Sequence, residues 1–180
     1  MLIKENDFII RTFETKDAPH LYKIVREPGI VRFMKDWSEG FESIESYHPF
    51  IKWMQSKKDS LDVFENKRFV IAKADSDEMI GMVGMGLEES LHEVEMAYFM
   101  SQDYQGKGYA LEAIKALIQW CFEHSELEYL ILTIDSANVP SQKLAEKCGF
   151  TLFEKRYPIG HVQANMESDH YYYYRLYRPS

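Results

Sequence analysis

"YQGKGYALEAI", residues 104–114, sets two glycines around a lysine and turns helical at once. Ala110, Leu111, Ile114, Leu117, Ile118 and Cys121 follow at helical spacing, with Glu112, Lys115 and Glu123 on the opposite, wet side, so a helix starts near residue 108. A helix start carries unsatisfied N–H groups and a partial positive charge, and glycines ahead of it let a ligand approach bare backbone. That combination suits phosphate oxygens. The plain alternative is a strand-to-helix turn that needs glycine for its dihedrals. No G-x-x-x-x-G-K-[ST] loop occurs, and the spacing is not the G-x-G-x-x-G of dinucleotide sites.

Outward from the bend, "HEVEMAYFM" (92–100) reads as a strand entering it, and "YLILTI" (129–134) as a strand buried on both faces. Joined by the helix, they form a right-handed parallel crossover with the bend at a strand's carboxyl end, where open sheets bind ligands. "RFVIAKADSDEMIGMVGMGL" (68–87) is a hairpin with strands Phe69–Lys73 and Met79–Met85. Phe8 to Phe13 is a further strand. Thr15 caps the next helix, which carries Leu21, Ile24 and Val25 and ends at Pro28 and Gly29. In "DWSEGFESIESYHPFIKWMQSKK" (36–58), Phe41, Ile44, Tyr47, Ile51 and Met54 are spaced as one helix face. "NVPSQKLAEKCGF" (138–150) is a short helix with Asn138 as cap, Pro140 in its first turn and Gly149 as its stop. Strands at 150–157 and through "HYYYYRLY" (170–177) close the chain; alternation along the latter turns half of the tyrosines outward, as an aromatic row open to a subunit contact.

A chain of 180 residues fits one domain with a sizeable core, and 46% hydrophobic with 28% charged residues describes an ordinary globule. Cys121 and Cys148 lack CxxC or Cys/His partners, the histidines lack ligand spacing, and no metal site is expected. A reducing cytoplasm is the expected home. "MLIKENDFIIRTF" holds neither a signal-peptide core nor a spanning segment, and a formal charge of −8 argues against general nucleic-acid binding.

Three ordered motifs resemble one family, the GNAT superfamily of acyl-CoA-dependent N-acetyltransferases, and within it the RimJ/RimL-like branch of protein N-terminal acetyltransferases. Gln105-x-x-Gly108-x-Ala110 matches the superfamily's [RQ]-x-x-G-x-[GA] loop. "N-x-x-S-x-x-L-x-x-K-x-G-F", from Asn138 through Ser141, Leu144, Lys147 and Gly149 to Phe150, is similar to its second motif, and "FIIRTFETKDAPHLYKIV" to its opening strand and helix. The resemblance implies one α/β domain over residues 1–180: a mixed, mostly antiparallel sheet of about seven strands, splayed between the fourth and fifth (92–100 and 129–134), with about four flanking helices. Acetyl-CoA lies in that gap by this reading. Gln105, Gly106, Lys107, Gly108, Tyr109 and Ala110 hold its pyrophosphate, Tyr98, Phe99 and Met100 pair with the pantetheine amides, and Asn138 reaches the pantetheine arm.

Acetyl transfer needs a neutral amine, a polarised carbonyl and a partner for the departing thiolate. By the same resemblance Glu95 is the first candidate base, since "E-M-A-Y" is similar to the family's E-[IL]-G-Y strand, and Glu93 on the same strand face is the reserve. Ala97 stands where the family commonly has glycine. A main-chain N–H near Tyr98 or Phe99 meets the oxyanion. Ser141 meets the CoA sulfur, its competing role being to satisfy amides of its own helix. Trp37, Phe41 and Tyr47 lie in the stretch that resembles the acceptor-binding region. The reading is thus an acetyl-CoA-dependent N-acetyltransferase acting on a primary amine by direct attack, as a monomer or homodimer without metal. A catalytically silent acyl-CoA-binding module and a nucleotide-binding α/β domain are the competing readings.

Overall fold

The structure, a computed structural model, describes residues 2–4, 7–158 and 167–179, so Met1, Glu5 and Asn6 of the N-terminal stretch lie outside the described residues. One eight-stranded sheet runs in the order β1-β2-β3-β4-β5-β6-β8-β7. Its strands are β1 (Leu2–Lys4), β2 (Phe8–Thr12), β3 (Lys67–Lys73), β4 (Met79–Glu88), β5 (Glu93–Met100), β6 (Tyr129–Asp135), β7 (Thr151–Arg156) and β8 (Tyr171–Tyr177). Every neighbouring pair is antiparallel except β5 and β6. The helices are α1 (Ala18–Ile24), α2 (Pro28–Met34), α3 (His48–Ser56), α4 (Tyr109–Glu123) and α5 (Val139–Lys147).

Alternation along the strands sends two apolar sets to opposite faces. One face, with Ile71, Val83, Val94, Leu130 and Leu132, packs against Ile114, Leu117 and Cys121 of α4 and Ala145 of α5. The other, with Val70, Ala72, Met82 and Phe99, packs against Leu21, Ile30, Ile51 and Met54 of the first three helices and against Tyr47 just ahead of α3. Among the described residues, the second face beyond β5 carries no helix; a smaller cluster of Ile131, Tyr171 and Tyr173 covers it.

Several local expectations change in three dimensions. Pro28 and Gly29 do not simply stop a helix: Pro28 opens α2, because a proline at the first helical position gives up an N–H that has no partner anyway. Thr15 does not cap α1. The polar clasp there belongs to Asp17, whose carboxylate accepts from Glu14 N at 2.7 Å and from Arg11 through two bonds of 2.8 Å. The helix expected across 41–54 starts only at His48, leaving Phe41 and Ile44 in the turns before it. Tyr171, Tyr173 and Tyr174 are all buried and Tyr172 packs against the core, so no exposed row runs along 171–174. β8 lies between β6 and β7, and its outward tyrosines are covered by Arg156 and Arg175; the Arg156 guanidinium sits 3.7 Å from the Tyr173 ring centroid.

Arg11 and Asp17 are a buried ion pair, with side chains 8% and 2% exposed, and Asp77 bonds the same guanidinium at 2.6 Å. Removing one partner leaves a buried charge short of its counter-ion, so Asp17→Ala is expected to cost about 3–5 kcal/mol in denaturant unfolding. A loss below about 1 kcal/mol would show that Asp77 alone suffices.

Candidate active site

The ladder between β5 and β6 consists of a single pair, Glu95 with Ile131. On its other edge β6 keeps a full antiparallel register with β8, from Tyr129–Tyr177 to Asp135–Tyr171, so the strand itself stays ordered while it diverges from β5. A cleft of about 270 Å³ opens at the divergence. It is lined by Glu95, Ala97 and Thr133 of one sheet face and by Met96, Tyr98 and Ile134 of the other. Since neighbouring strand residues point to opposite faces, a cavity that touches both sets passes through the sheet.

Glu95 marks where the strands part. Its Oε1 accepts from Thr133 N at 3.0 Å and from Thr133 Oγ1 at 2.5 Å. The side chain thereby satisfies an amide that a continued parallel ladder would have paired with β5 backbone. Burial pushes this carboxyl up to about 7 from its ordinary 4.5, against the opposing pull of the Thr133 hydrogen bonds and the Arg68 charge. A carboxylate titrating there is suited to taking a proton from an amine near neutral pH.

Arg68 lies across the floor of the same cleft and also lines an adjoining cavity of about 250 Å³ that shares Glu88 and Glu95. It pairs in register with Gly84, which pairs in turn with Ala97. A Cβ on Gly84 would come within 2.4 Å of Arg68 Cδ, so glycine at this position is what lets the guanidinium cross β4 toward β5. There it donates to the carbonyls of Lys67 and Met85 at 2.9 and 2.8 Å. Phe33, Met34, Asp36 and Trp37, at and just beyond the end of α2, form one wall of the cleft.

At the carboxyl end of β5 the chain makes the glycine bend. Gly106 and Gly108 take φ of +75° and +90°, in the left-handed region that favours glycine. A Cβ at either would meet nothing within 4 Å. Gly108 is the N-cap of the 15-residue helix α4, and no side chain caps its first-turn amides. The loop is held from behind: Gln105 Nε2 donates to Met100 O at 2.9 Å, and Glu27 accepts from Ser101 Oγ and Gln102 N at 2.7 Å each. Across the gap, Asn138 caps α5 by accepting from Ser141 N at 3.3 Å, and Ser141 Oγ meets Tyr98 Oη at 2.7 Å.

A family model described as an acetyltransferase (GNAT) domain matches residues 7–151 of the chain. The chain belongs to the GNAT acetyltransferase family. It is 28% identical over 176 residues, 96% of its own length and 95% of the relative's, to the uncharacterized N-acetyltransferase YnaD of Bacillus subtilis (strain 168). Among solved structures it superposes on the microcin C7 self-immunity acetyltransferase MccE in complex with acetyl-CoA and AMP, with a TM-score of 0.78 at 19% identity over 97% of this chain and 94% of that one. It also superposes on RimL, the ribosomal L7/L12 alpha-N-protein acetyltransferase in complex with coenzyme A, with a TM-score of 0.79 at 16% identity over 98% of each chain. This GNAT protein is an acetyl-CoA-dependent N-acetyltransferase.

Within the GNAT fold, the residues expected at the site fall into two sets. Glu95, Tyr98, Asn138, Ser141 and Trp37 line the cleft, and Gln105 through Ala110 form the bend and helix start that follow β5, outside the cleft lining itself. Phe99 and Met100 are buried at the end of β5, where the strand has no ladder with β6. Lys107 folds onto its own loop, donating to Asp103 O at 2.8 Å. Glu93 does share a face with Glu95, yet lies outside the cleft lining, held by the Tyr129 and Tyr173 hydroxyls at 2.7 Å and by Arg175 at 3.4 Å. Tyr47 is fully buried, stacked on Phe41 with ring centroids 4.4 Å apart, and neither lines the cleft. Trp37 rests against Phe50 and Phe99, so Tyr47 and Phe41 support this wall from behind while Tyr47 Oη donates to Trp37 O at 2.7 Å.

Arg68, Thr133, Glu27 and the Tyr98 hydroxyl escaped the sequence reading. Each acts across a separation of tens of residues with no local spacing signal; the three glycines of "GMVGMG" (81–86), next to a strand with an inward arginine, were the one trace of Arg68. The two cysteines are buried, and burial pushes both thiols up to about 11, which leaves them protonated packing groups.

The raised Glu95 value has a signed consequence for stability. Between its ordinary value of 4.5 and about 7 the folded protein binds more protons at this group than the unfolded chain, so this contribution to stability falls as pH rises through that window. Glu95→Gln keeps an acceptor for Thr133 N without the charge. The variant is expected to gain thermal midpoint over the parent above pH about 7 and to gain least near pH about 5; equal differences at both would remove the inference that Glu95 is buried against its charge.

Proposed function

We propose that the protein transfers acetyl from acetyl-CoA directly to a primary amine within a ternary complex, with Glu95 as base and Ser141 at the thioester sulfur. The observation that carries this reading is the Glu95 carboxyl, pushed up to about 7 by burial in a cleft that Tyr98 and Ser141 also line, on the strand that leads into the uncapped start of α4. An α-amino group has a reference pKa of about 8 and lysine about 10.4, so a base near 7 is better matched to the former. The acceptor is a protein N-terminus or a small-molecule amine of similar basicity. Membership of the RimJ/RimL-like branch is supported by the motif from Asn138 to Phe150, by the fold shared with RimL, and by 31% identity over 87 residues, 48% of each chain, to the ribosomal-protein-serine acetyltransferase of Escherichia coli (strain K12).

In this mechanism the backbone amides from Gln105 to Ala110 receive the pyrophosphate of acetyl-CoA. The open space above both glycines and the free first-turn amides of α4 fit such a group. The unpaired edge of β5 at Tyr98 to Met100 receives the pantetheine amides, and Asn138 the pantetheine arm. Glu95 takes the amine proton. The amine lone pair forms the C–N bond, a β5 amide near Tyr98 or Phe99 stabilises the oxyanion, and the C–S electron pair leaves on sulfur. Ser141 Oγ–H donates to that sulfur, which takes a proton from water as CoA departs.

Two measurements test the proposal. Gly108→Val forces a β-branched residue to a φ of +90° and places its methyls in the space assigned to the pyrophosphate. Acetyl-CoA binding measured by calorimetry should fall by at least about 100-fold, roughly 2.7 kcal/mol, and unchanged affinity would place the cofactor elsewhere. Thiol release with a panel of amines and N-terminal peptides should give a rate that rises with pH through about 7 in the parent. Glu95→Gln should lose that rise. Tight binding without thiol release from any amine would favour a silent acyl-CoA sensor.

A further inference from the structure

We propose that Tyr98 is the positioning residue for Ser141: its phenol donates to Ser141 Oγ across the gap, leaving the single serine proton for the thioester sulfur. The inference rests on the reading of Ser141 given above and adds a residue to which the motifs gave only a main-chain role. Tyr98 stands on β5 and Ser141 on α5, which follows β6, so the 2.7 Å contact between their hydroxyls bridges the two sides of the divergence. The Tyr98 hydroxyl also lies 3.3 Å from Ser141 O. Both residues line the cleft.

The local capping role is already filled. Asn138 Oδ1 takes Ser141 N, so the serine hydroxyl is not needed to satisfy that amide. A serine hydroxyl has one proton and two lone pairs, and it rotates to suit its neighbours. On the first turn of a helix that proton would otherwise turn back to a preceding carbonyl. A fixed donor at one lone pair selects the rotamers in which the proton points away from that donor, here into the cleft. Burial pushes the Tyr98 phenol above its ordinary range, against the Ser141 hydrogen bond, so it keeps its proton and supplies none to the reaction; Ser141 Oγ at 2.7 Å is the nearer acceptor for it than Ser141 O at 3.3 Å. Polarisation along the pair strengthens the bond Ser141 makes to the developing thiolate. Acetyl still leaves sulfur for nitrogen, the amine proton still goes to Glu95, and the thiolate is still protonated by water.

Tyr98→Phe keeps the ring and deletes the hydroxyl. The test compares it with the parent in both the Ser141 and Ser141→Ala backgrounds, after thermal melts establish folding. Without turnover, the thiol of bound CoA is titrated by its ultraviolet thiolate absorbance; Tyr98→Phe should move that titration to higher pH. With acetyl-CoA and the best amine, kcat should fall about 3- to 10-fold, the range of one neutral hydrogen bond, while KM for acetyl-CoA stays within about twofold. Both effects should vanish in the Ser141→Ala background. An unmoved thiol titration, or an equal loss in both backgrounds, overturns the assignment while acetyl-CoA binding and turnover in the parent stand. A parent that binds no acetyl-CoA removes the underlying reading, and this inference with it.

Discussion

One hydrogen-bonded side chain replaces a stretch of sheet. A parallel ladder that ended in mid-sheet would leave backbone donors and acceptors without partners, each costing about as much as a lost hydrogen bond. Here the ladder between β5 and β6 ends after one pair, and Glu95 reaches across to Thr133 N and Oγ1. The splay is therefore stable only with an acceptor at that point. The same burial that makes the carboxylate a useful hydrogen-bond partner makes its charge costly, which holds it near neutrality. Architecture and acid–base chemistry are thus set by a single residue.

The remaining elements bear on that gap from its two sides. On one side, α1 to α3 cover β2 to β5, and Glu27 links this helical layer to the start of the glycine loop through Ser101 and Gln102. On the other, β6, β8 and β7 carry no helix on that face among the described residues, and a cation covers part of it. Arg175 lies over Tyr129 and Phe153, with its guanidinium carbon 4.3 and 3.9 Å from their ring centroids, and donates to the Tyr173 hydroxyl at 2.9 Å. Glu93 completes the cluster by accepting from both tyrosines. Two carboxylates two residues apart on one strand thus have different tasks. Glu93 stabilises the outer sheet within a full set of donors, and Glu95 sits at the gap with Thr133 and the charge of Arg68.

Local patterns carried far in this chain because its elements are short and sharply punctuated. The bend at 104–108, the stop at Gly149 and the cap at Asn138 are each encoded by a residue whose backbone preference is strong. Where a signal has two meanings, the sequence reading took the wrong one. Proline ends one helix or begins the next, and Pro28 begins α2. Aromatic spacing looks the same in a helix and in the turns that precede it, so Phe41 and Ile44 were counted into α3. A tyrosine run says which residues share a face but not what lies above it, so half of the run was expected to be exposed, although Tyr171, Tyr173 and Tyr174 are all buried and arginines cover the Tyr173 ring.

The sequence by itself determined the order of strands and helices apart from β1 and α2, together with the crossover between β5 and β6, the glycine bend before α4 and the group of residues able to serve an acyl-CoA. These depend on backbone preferences and periodicities that act over a few residues. Only the tertiary structure decided that Glu95 rather than Glu93 faces the gap, that Gly84 lets Arg68 lie across its floor, and that Ser141 meets Tyr98. Those outcomes depend on register between strands and on contacts between residues as much as 82 positions apart, and no local preference reports them.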